Sequence, residues 1–102
     1  MNSMDEFIDY VNQYKVYFNT EIPARANVNY GNNVMRINPY YHEDGISLCH
    51  ELYHHYYERV LGIEPTEEQV EDAARWFYSE HRSGVDSVVR QLYSDNAWIE
   101  EV

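Results

Sequence analysis

The segment His50-Glu51-Leu52-Tyr53-His54 contains two imidazoles and a carboxylate at a spacing that could hold a metal ion and use it. Residues four apart lie on the same face of a helix, so the rings of His50 and His54 could reach one ion. Glu51 lies about 100° further round the helix. From there it could accept a proton from a water molecule beside the ion. This pattern is the one that zinc-assisted hydrolysis uses.

A catalytic zinc site needs a third protein ligand and an open position for water. The next predicted helix offers Glu67, Glu68, Glu71 and Asp72. On a helical wheel measured from Val70, Glu67 at about 60° and Glu71 at about 100° flank the apolar stripe of this helix. Glu68 and Asp72 point to solvent. Glu67 is expected in the first turn, level with the far end of the preceding helix. We therefore predict Glu71 as the third ligand, with Asp72 as the second choice.

Other groups could complete the chemistry around this pair. Glu58 lies roughly 12 Å along the helix axis from His50, too far to share its ion. Glu58 and Asn38 are instead candidate hydrogen-bond partners of the ligand histidines. For the donor that stabilises the oxyanion we prefer Tyr78, which shares the flank of Glu71, over His42, His81 and the other tyrosines.

The first third of the chain changes its hydrophobic period. Apolar residues at helical spacing predict a helix over residues 4–18, started by a capping box of Ser3 and Glu6. Alternating apolar and polar residues over 24–38, on either side of a turn at Gly31, predict a β-hairpin that ends at Pro39.

Three more helices are predicted after the hairpin. The first covers residues 46–61 and carries the histidine pair, the second begins at Thr66 and runs to about His81, and the third covers 85–93. In the tail that follows, Trp98 and Ile99 could anchor another short turn. Helix, hairpin and three helices predict one small α+β domain over residues 1–102.

Composition limits the classes of partner. The net charge is −11, which disfavours direct binding to nucleic acid but does not disfavour a basic protein partner. The one cysteine, Cys49, cannot form an internal disulfide and is predicted to fill the core. Since no apolar run is long enough to span a membrane and the start lacks a basic signal-like region, we expect a cytoplasmic protein.

The stretches CHELYHHYYERVLG and EEQVEDAARWF resemble the ImmA/IrrE-type gluzincin metallopeptidases. In that family an N-terminal helix and a short hairpin precede the His-Glu-x-x-His helix, and the following helix carries a Glu-x-x-Ala-x-x-Phe pattern. Glu71, Ala74 and Phe77 fit this pattern here. The likeness covers roughly residues 25–82. It departs at Tyr53, where the family commonly has Gly or Ala, and at YSEHRSG, which replaces a Leu-Leu-x-Pro segment.

The resemblance implies a zincin-like fold with Zn²⁺ held by His50, His54 and Glu71, and Glu51 as the general base. It also implies cleavage of a peptide bond in a protein, often a helix-turn-helix repressor, in bacterial or phage regulation. The alternative is an acidic interaction or inhibitor protein that mimics nucleic acid and binds metal without catalysis.

Overall fold

The N-terminal helix is shorter than the sequence predicts. In the computed structural model, which describes residues 1–95, α1 spans Met4–Val11. The Ser3 hydroxyl caps α1 by accepting a hydrogen bond from the backbone N–H of Glu6 at 3.2 Å. After a turn, strand β1 occupies Lys15–Phe18. The prediction of helix over the second half of 4–18 is therefore wrong, because Val16 and Phe18 alternate with exposed or half-buried neighbours and are buried by the sheet.

The predicted hairpin is confirmed as strands β2 (Ala26–Asn29) and β3 (Val34–Ile37). These strands pair antiparallel, with Val28 opposite Met35. Strand β1 joins the other side of β3 in parallel, with Val16 opposite Met35, so the sheet order is β1-β3-β2. Strand β2 is consequently an edge strand of this sheet, and the single turn of 3₁₀ helix at Pro39–Tyr41 leads out of β3.

Helix α2 spans Asp44–His55 and continues as a π-helical segment over Tyr56–Val60. It begins two residues before the predicted start at residue 46. Leu48, Cys49 and Leu52 on α2 are fully buried, so the predicted core role of Cys49 is confirmed. Helix α2 contacts α1, the strands β2 and β3, and the last helix. It is therefore the central element of the fold.

Helix α3 spans Glu67–Ser94. A capping box starts it: the backbone N–H of Gln69 donates to the Thr66 hydroxyl at 3.1 Å, and the Gln69 side chain accepts from the Thr66 N–H at 2.9 Å. Non-helical torsions at His81 kink it (φ −129°, ψ 28°). The two helices predicted over 66–81 and 85–93 thus form one kinked element, and the chain does not leave the helix at the Arg-Ser-Gly sequence.

The core joins all of these elements. The rings of Phe7 on α1 and Phe77 on α3 stack with centroids 5.5 Å apart. Further fully buried side chains come from β3, α2 and α3: Met35, Ile37, Leu48, Leu52, Val70 and Val85. Within residues 1–95, no helix combines the length and the apolar character that crossing a bilayer requires. The predicted turn around Trp98 and Ile99 lies outside the described residues.

Candidate metal centre

The histidines of α2 and the first glutamate of α3 meet at one point. The rings of His50 and His54 lie 5.0 Å apart between centroids. The Nε2 atoms lie 3.1 Å and 3.0 Å respectively from the two carboxylate oxygens of Glu67. One ligand atom from each of these three residues lies within 4.8 Å of the others. Two imidazoles and a carboxylate therefore converge where a divalent cation could sit.

Glu67 can lie beside His50 and His54 because the link before α3 is extended. Seven residues from His54 to Leu61 advance roughly 10 Å in helical geometry. The six residues 61–66 lie outside regular helix or strand and can span up to roughly 20 Å. The chain can thus return past the end of α2 before α3 begins. Glu67 contacts His54 and His50, so the prediction that it is level with the far end of a helix over residues 46–61 is wrong.

Glu71, the predicted third ligand, lies on the opposite side of the His50 ring. Its Oε1 is 2.9 Å from Nδ1 of His50 and 2.7 Å from the guanidinium of Arg25. The Arg75 side chain also contacts Glu71, at 3.0 Å. The hydrogen bonds from Arg25, above all, lower the pKa of Glu71 to about 2. Asp72, the second choice, is exposed and takes no part in the cluster.

Each histidine also has a carboxylate at its other ring nitrogen. Nδ1 of His54 lies 2.8 Å from Oε2 of Glu58, as Nδ1 of His50 does from Glu71 at 2.9 Å. When Nδ1–H donates to such a carboxylate, the lone pair of Nε2 is left for a metal. The structure thus places Glu58 as a partner of His54. Asn38 has another role, since its side chain donates to the carbonyls of Ile22 and Ala24.

Glu51 lines the same cavity as the two histidines, but it is buried. Its residue exposure is 6%. Burial raises the pKa of Glu51, while the neighbouring His50 and His54 oppose that shift. Glu51 lines an open cavity of about 380 Å³ with both histidines, Glu67 and part of the edge strand β2. Glu51, His50 and His54 therefore share one cavity.

Tyr78, the predicted oxyanion donor, lies elsewhere. Its hydroxyl donates to Asp86 at 2.8 Å, and its ring lines a second cavity, of about 580 Å³, together with His42. Tyr78 is thus not among the residues that line the cavity at the histidines. His81 instead packs its ring on Phe77, with centroids 4.4 Å apart.

Two residues that the sequence did not single out belong to the centre. Tyr30 lines the histidine cavity and donates its hydroxyl to Glu58 at 3.3 Å; burial raises its pKa. Arg25 precedes β2 and links Glu71 to Glu43. Alternation in the hairpin could have indicated which face these side chains occupy, but their contact with α2 and α3 depends on tertiary packing.

Comparison with models of protein families, with curated proteins and with solved structures gives no match.

Proposed function

We propose that this protein is a zinc-dependent peptidase in which His50, His54 and Glu67 hold the ion and Glu51 is the general base. The convergence of the two Nε2 atoms on Glu67, beside the buried carboxyl of Glu51, carries this proposal. The motif helix, the small sheet and a third ligand on the following helix support a zincin-like arrangement and the resemblance to ImmA/IrrE-type gluzincins. Glu67 then takes the role that the sequence assigned to Glu71.

The donor set fits zinc in type, and its ligand atoms lie close together. Two neutral imidazole nitrogens and one carboxylate oxygen are a common ligand set of catalytic zinc, which keeps a fourth position for water. Bonds of about 2.0 Å in a tetrahedron separate ligand atoms by roughly 3.3 Å. His50 and His54 contact different oxygens of Glu67, at 3.1 and 3.0 Å, and one ligand atom of each residue lies within 4.8 Å of the others, so small movements could bring all three onto one ion.

Bound zinc would supply Lewis acidity, lowering the pKa of water toward neutrality. Glu51 would take the proton of the attacking water and return it to the leaving amine. A raised pKa suits this task, because an effective base has a pKa near the working pH. Among the described residues that line this cavity, Tyr30 carries a hydroxyl that could act as a donor.

The edge strand suggests how a substrate would lie. Ala26, Asn27 and Val28 of β2 line the cavity that holds the histidines. An extended peptide could pair with such an edge and bring a peptide bond to the centre. The net charge of −11 favours a protein substrate with basic segments. A regulatory repressor, as the resemblance implies, would meet this description.

Metal analysis and one substitution test the proposal. We expect protein purified without chelator or a metal-binding tag to contain about one zinc per chain. Zinc should raise the free energy of unfolding by about 2.7 kcal/mol at a free concentration 100 times its Kd. Glu51→Gln should keep zinc and fold but lose hydrolysis of a basic protein or peptide substrate, followed by mass spectrometry of the products. His54→Ala is the matched control that should lose zinc.

Two outcomes would contradict the proposal. Absence of stoichiometric zinc would exclude the metal centre. If the wild type and Glu51→Gln bind zinc and inhibit a protein partner equally, without cleavage by either, the noncatalytic interaction protein is the correct alternative.

A further inference from the structure

Arg25 makes more charged contacts at the centre than its place before an edge strand would suggest. Its guanidinium donates to Oε1 and Oε2 of Glu71 at 2.7 and 3.1 Å, and to Glu43 at 3.2 Å. One of its nitrogens also lies 3.3 Å from Nδ1 of His50. The two contacts to Glu71 form a bidentate arginine–carboxylate pair, which fixes direction as well as distance.

The backbone at Arg25 is also held in place. Its carbonyl accepts a hydrogen bond from the backbone N–H of Asn38 at 2.9 Å. The side chain of Asn38 binds the carbonyls of Ile22 and Ala24 just before it, at 3.2 Å each. The segment that presents Arg25 is therefore attached to the end of β3. This attachment limits the positions from which the guanidinium can reach Glu71.

The contacts at Nδ1 of His50 exclude one another. Arginine can only donate, so Nδ1 would accept from Arg25 only when it carries no proton. A protonated Nδ1 instead donates to Glu71, across the shorter distance of 2.9 Å. In the second case a neutral ring presents the lone pair of Nε2 to the side where Glu67 lies. The orientation of Glu71 thus decides which nitrogen of His50 can serve a metal.

We propose that Arg25 is a positioning residue of the metal centre, which holds Glu71 against Nδ1 of His50 and so aims Nε2 at the ion. This inference rests on the proposed zinc site of His50, His54 and Glu67. Arg25 touches neither the ion nor the substrate in this role. It acts through Glu71 alone.

The sign of one measurement distinguishes positioning from simple charge. Arg25 is a cation close to a site for another cation, so its charge alone opposes zinc binding. If charge were its main effect, removing it would tighten zinc binding. If positioning dominates, removing it weakens zinc binding, because Glu71 loses the contact that orients it.

The experiment measures zinc affinity by competition with a chromophoric chelator. We expect Arg25→Met to bind zinc about 5-fold or more weakly and Glu71→Gln about 10- to 100-fold more weakly than wild type. Arg75→Met is the matched control. Arg75 also contacts Glu71, but from the same helix and from a half-exposed position. Its substitution should therefore change the zinc affinity less than about 2-fold. With Glu71→Gln already present, adding Arg25→Met should weaken binding no further.

A spectroscopic measurement provides a second test. In zinc-loaded wild type the Nδ1–H proton of His50 should give a downfield, slowly exchanging NMR signal. Its exchange should accelerate in Arg25→Met and remain slow in Arg75→Met. Circular dichroism checks the fold of each variant. If Arg25→Met does not fold, Arg25→Lys replaces it, because Lys keeps the charge without the fork, and it too should bind zinc more weakly than wild type.

The outcomes separate this inference from the proposed function. Zinc binding by Arg25→Met, or by Arg25→Lys in its place, that equals or exceeds that of wild type overturns the positioning role and leaves the zinc site standing. If the Nδ1–H proton of His50 exchanges as slowly in the folded Arg25 variant as in wild type, the positioning role is also overturned and the zinc site still stands. A wild type that binds no zinc overturns both.

Discussion

Two glutamates one helical turn apart occupy different chemical positions around His50. Glu67 faces Nε2 at 3.1 Å, and Glu71 faces Nδ1 at 2.9 Å. A histidine binds metal through one nitrogen and uses the other to fix its orientation. The two carboxylates are therefore not interchangeable. Glu67 has the position of a ligand, and Glu71 that of the residue that holds the ligand in place.

Removal of the Glu67 carboxylate tests this difference. We expect Glu67→Ala to weaken zinc binding by roughly 100-fold, because one of three protein ligands is lost. Glu68→Ala removes an equal charge from the exposed neighbour and should bind zinc nearly as wild type does. Calorimetric titration of both variants would measure the difference. Zinc retained by Glu67→Ala and lost by Glu71→Ala would instead make Glu71 the ligand.

The sequence predicts some features of this cluster and not others. The shared face of His50 and His54 follows from helical spacing within α2, so their proximity was predictable. The choice between Glu67 and Glu71 depends on the level of α3 relative to α2. That level is set by the extended residues 61–66, whose path no local periodicity encodes. A helical wheel gives the flank on which Tyr78 lies but not the cavity that it lines.

Strong local signals in the sequence predict several helix starts and the hairpin. The Ser3 and Thr66 caps start α1 and α3, and the hairpin forms around the Gly31 turn. Strand β1 was missed because Tyr14 and Phe18 fit helical spacing as well as alternation with Val16. Its first hydrogen bond alongside β3 runs from the backbone N–H of Lys15 to the carbonyl of Asn33. This contact joins distant parts of the chain. Such nonlocal pairing overrides a short ambiguous pattern.

The start of α3 connects its stability to the metal centre. Thr66 caps the turn that carries Glu67, so we expect Thr66→Ala to lower the free energy of unfolding by about 1 kcal/mol. Fraying of this turn should also weaken zinc binding by about 2- to 5-fold. Thr20→Ala, in an exposed turn, is the control. Urea unfolding and zinc titration measure the two effects. Loss of stability with unchanged zinc affinity would show that the cap does not influence the metal centre.

Acidic side chains of this protein far outnumber the basic ones that could neutralise them. The chain has 18 acidic residues against 7 Lys and Arg. Near the histidines, Glu51, Glu58 and Glu67 line one cavity, while Arg25 neutralises Glu71 behind it. Because like charges repel at short range, a divalent cation in this cavity would relieve a local excess of negative charge. The acidic composition and the candidate centre are thus consistent with each other.

The Arg25–Glu71 pair also predicts how stability varies with acid. The pKa of Glu71 falls from 4.5 to about 2 on folding. A depressed folded pKa stabilises the protein above the unfolded value, so this contribution is present above about pH 4.5 and is lost as the pH falls toward 2. Glu51 has the opposite sign, since its raised pKa makes ionisation destabilising as the pH rises past its ordinary value.

We therefore expect Glu71→Gln to flatten the acid limb of the stability curve. In zinc-free protein, the difference in unfolding free energy between wild type and Glu71→Gln should shrink as the pH is lowered from about 4.5 to about 2. Urea unfolding in the presence of chelator measures it, and Glu68→Gln corrects for the loss of a negative charge on the same helix. A pH-independent difference would mean that Glu71 titrates alike in the folded and unfolded chain. The bidentate contact with Arg25 would then not persist in solution.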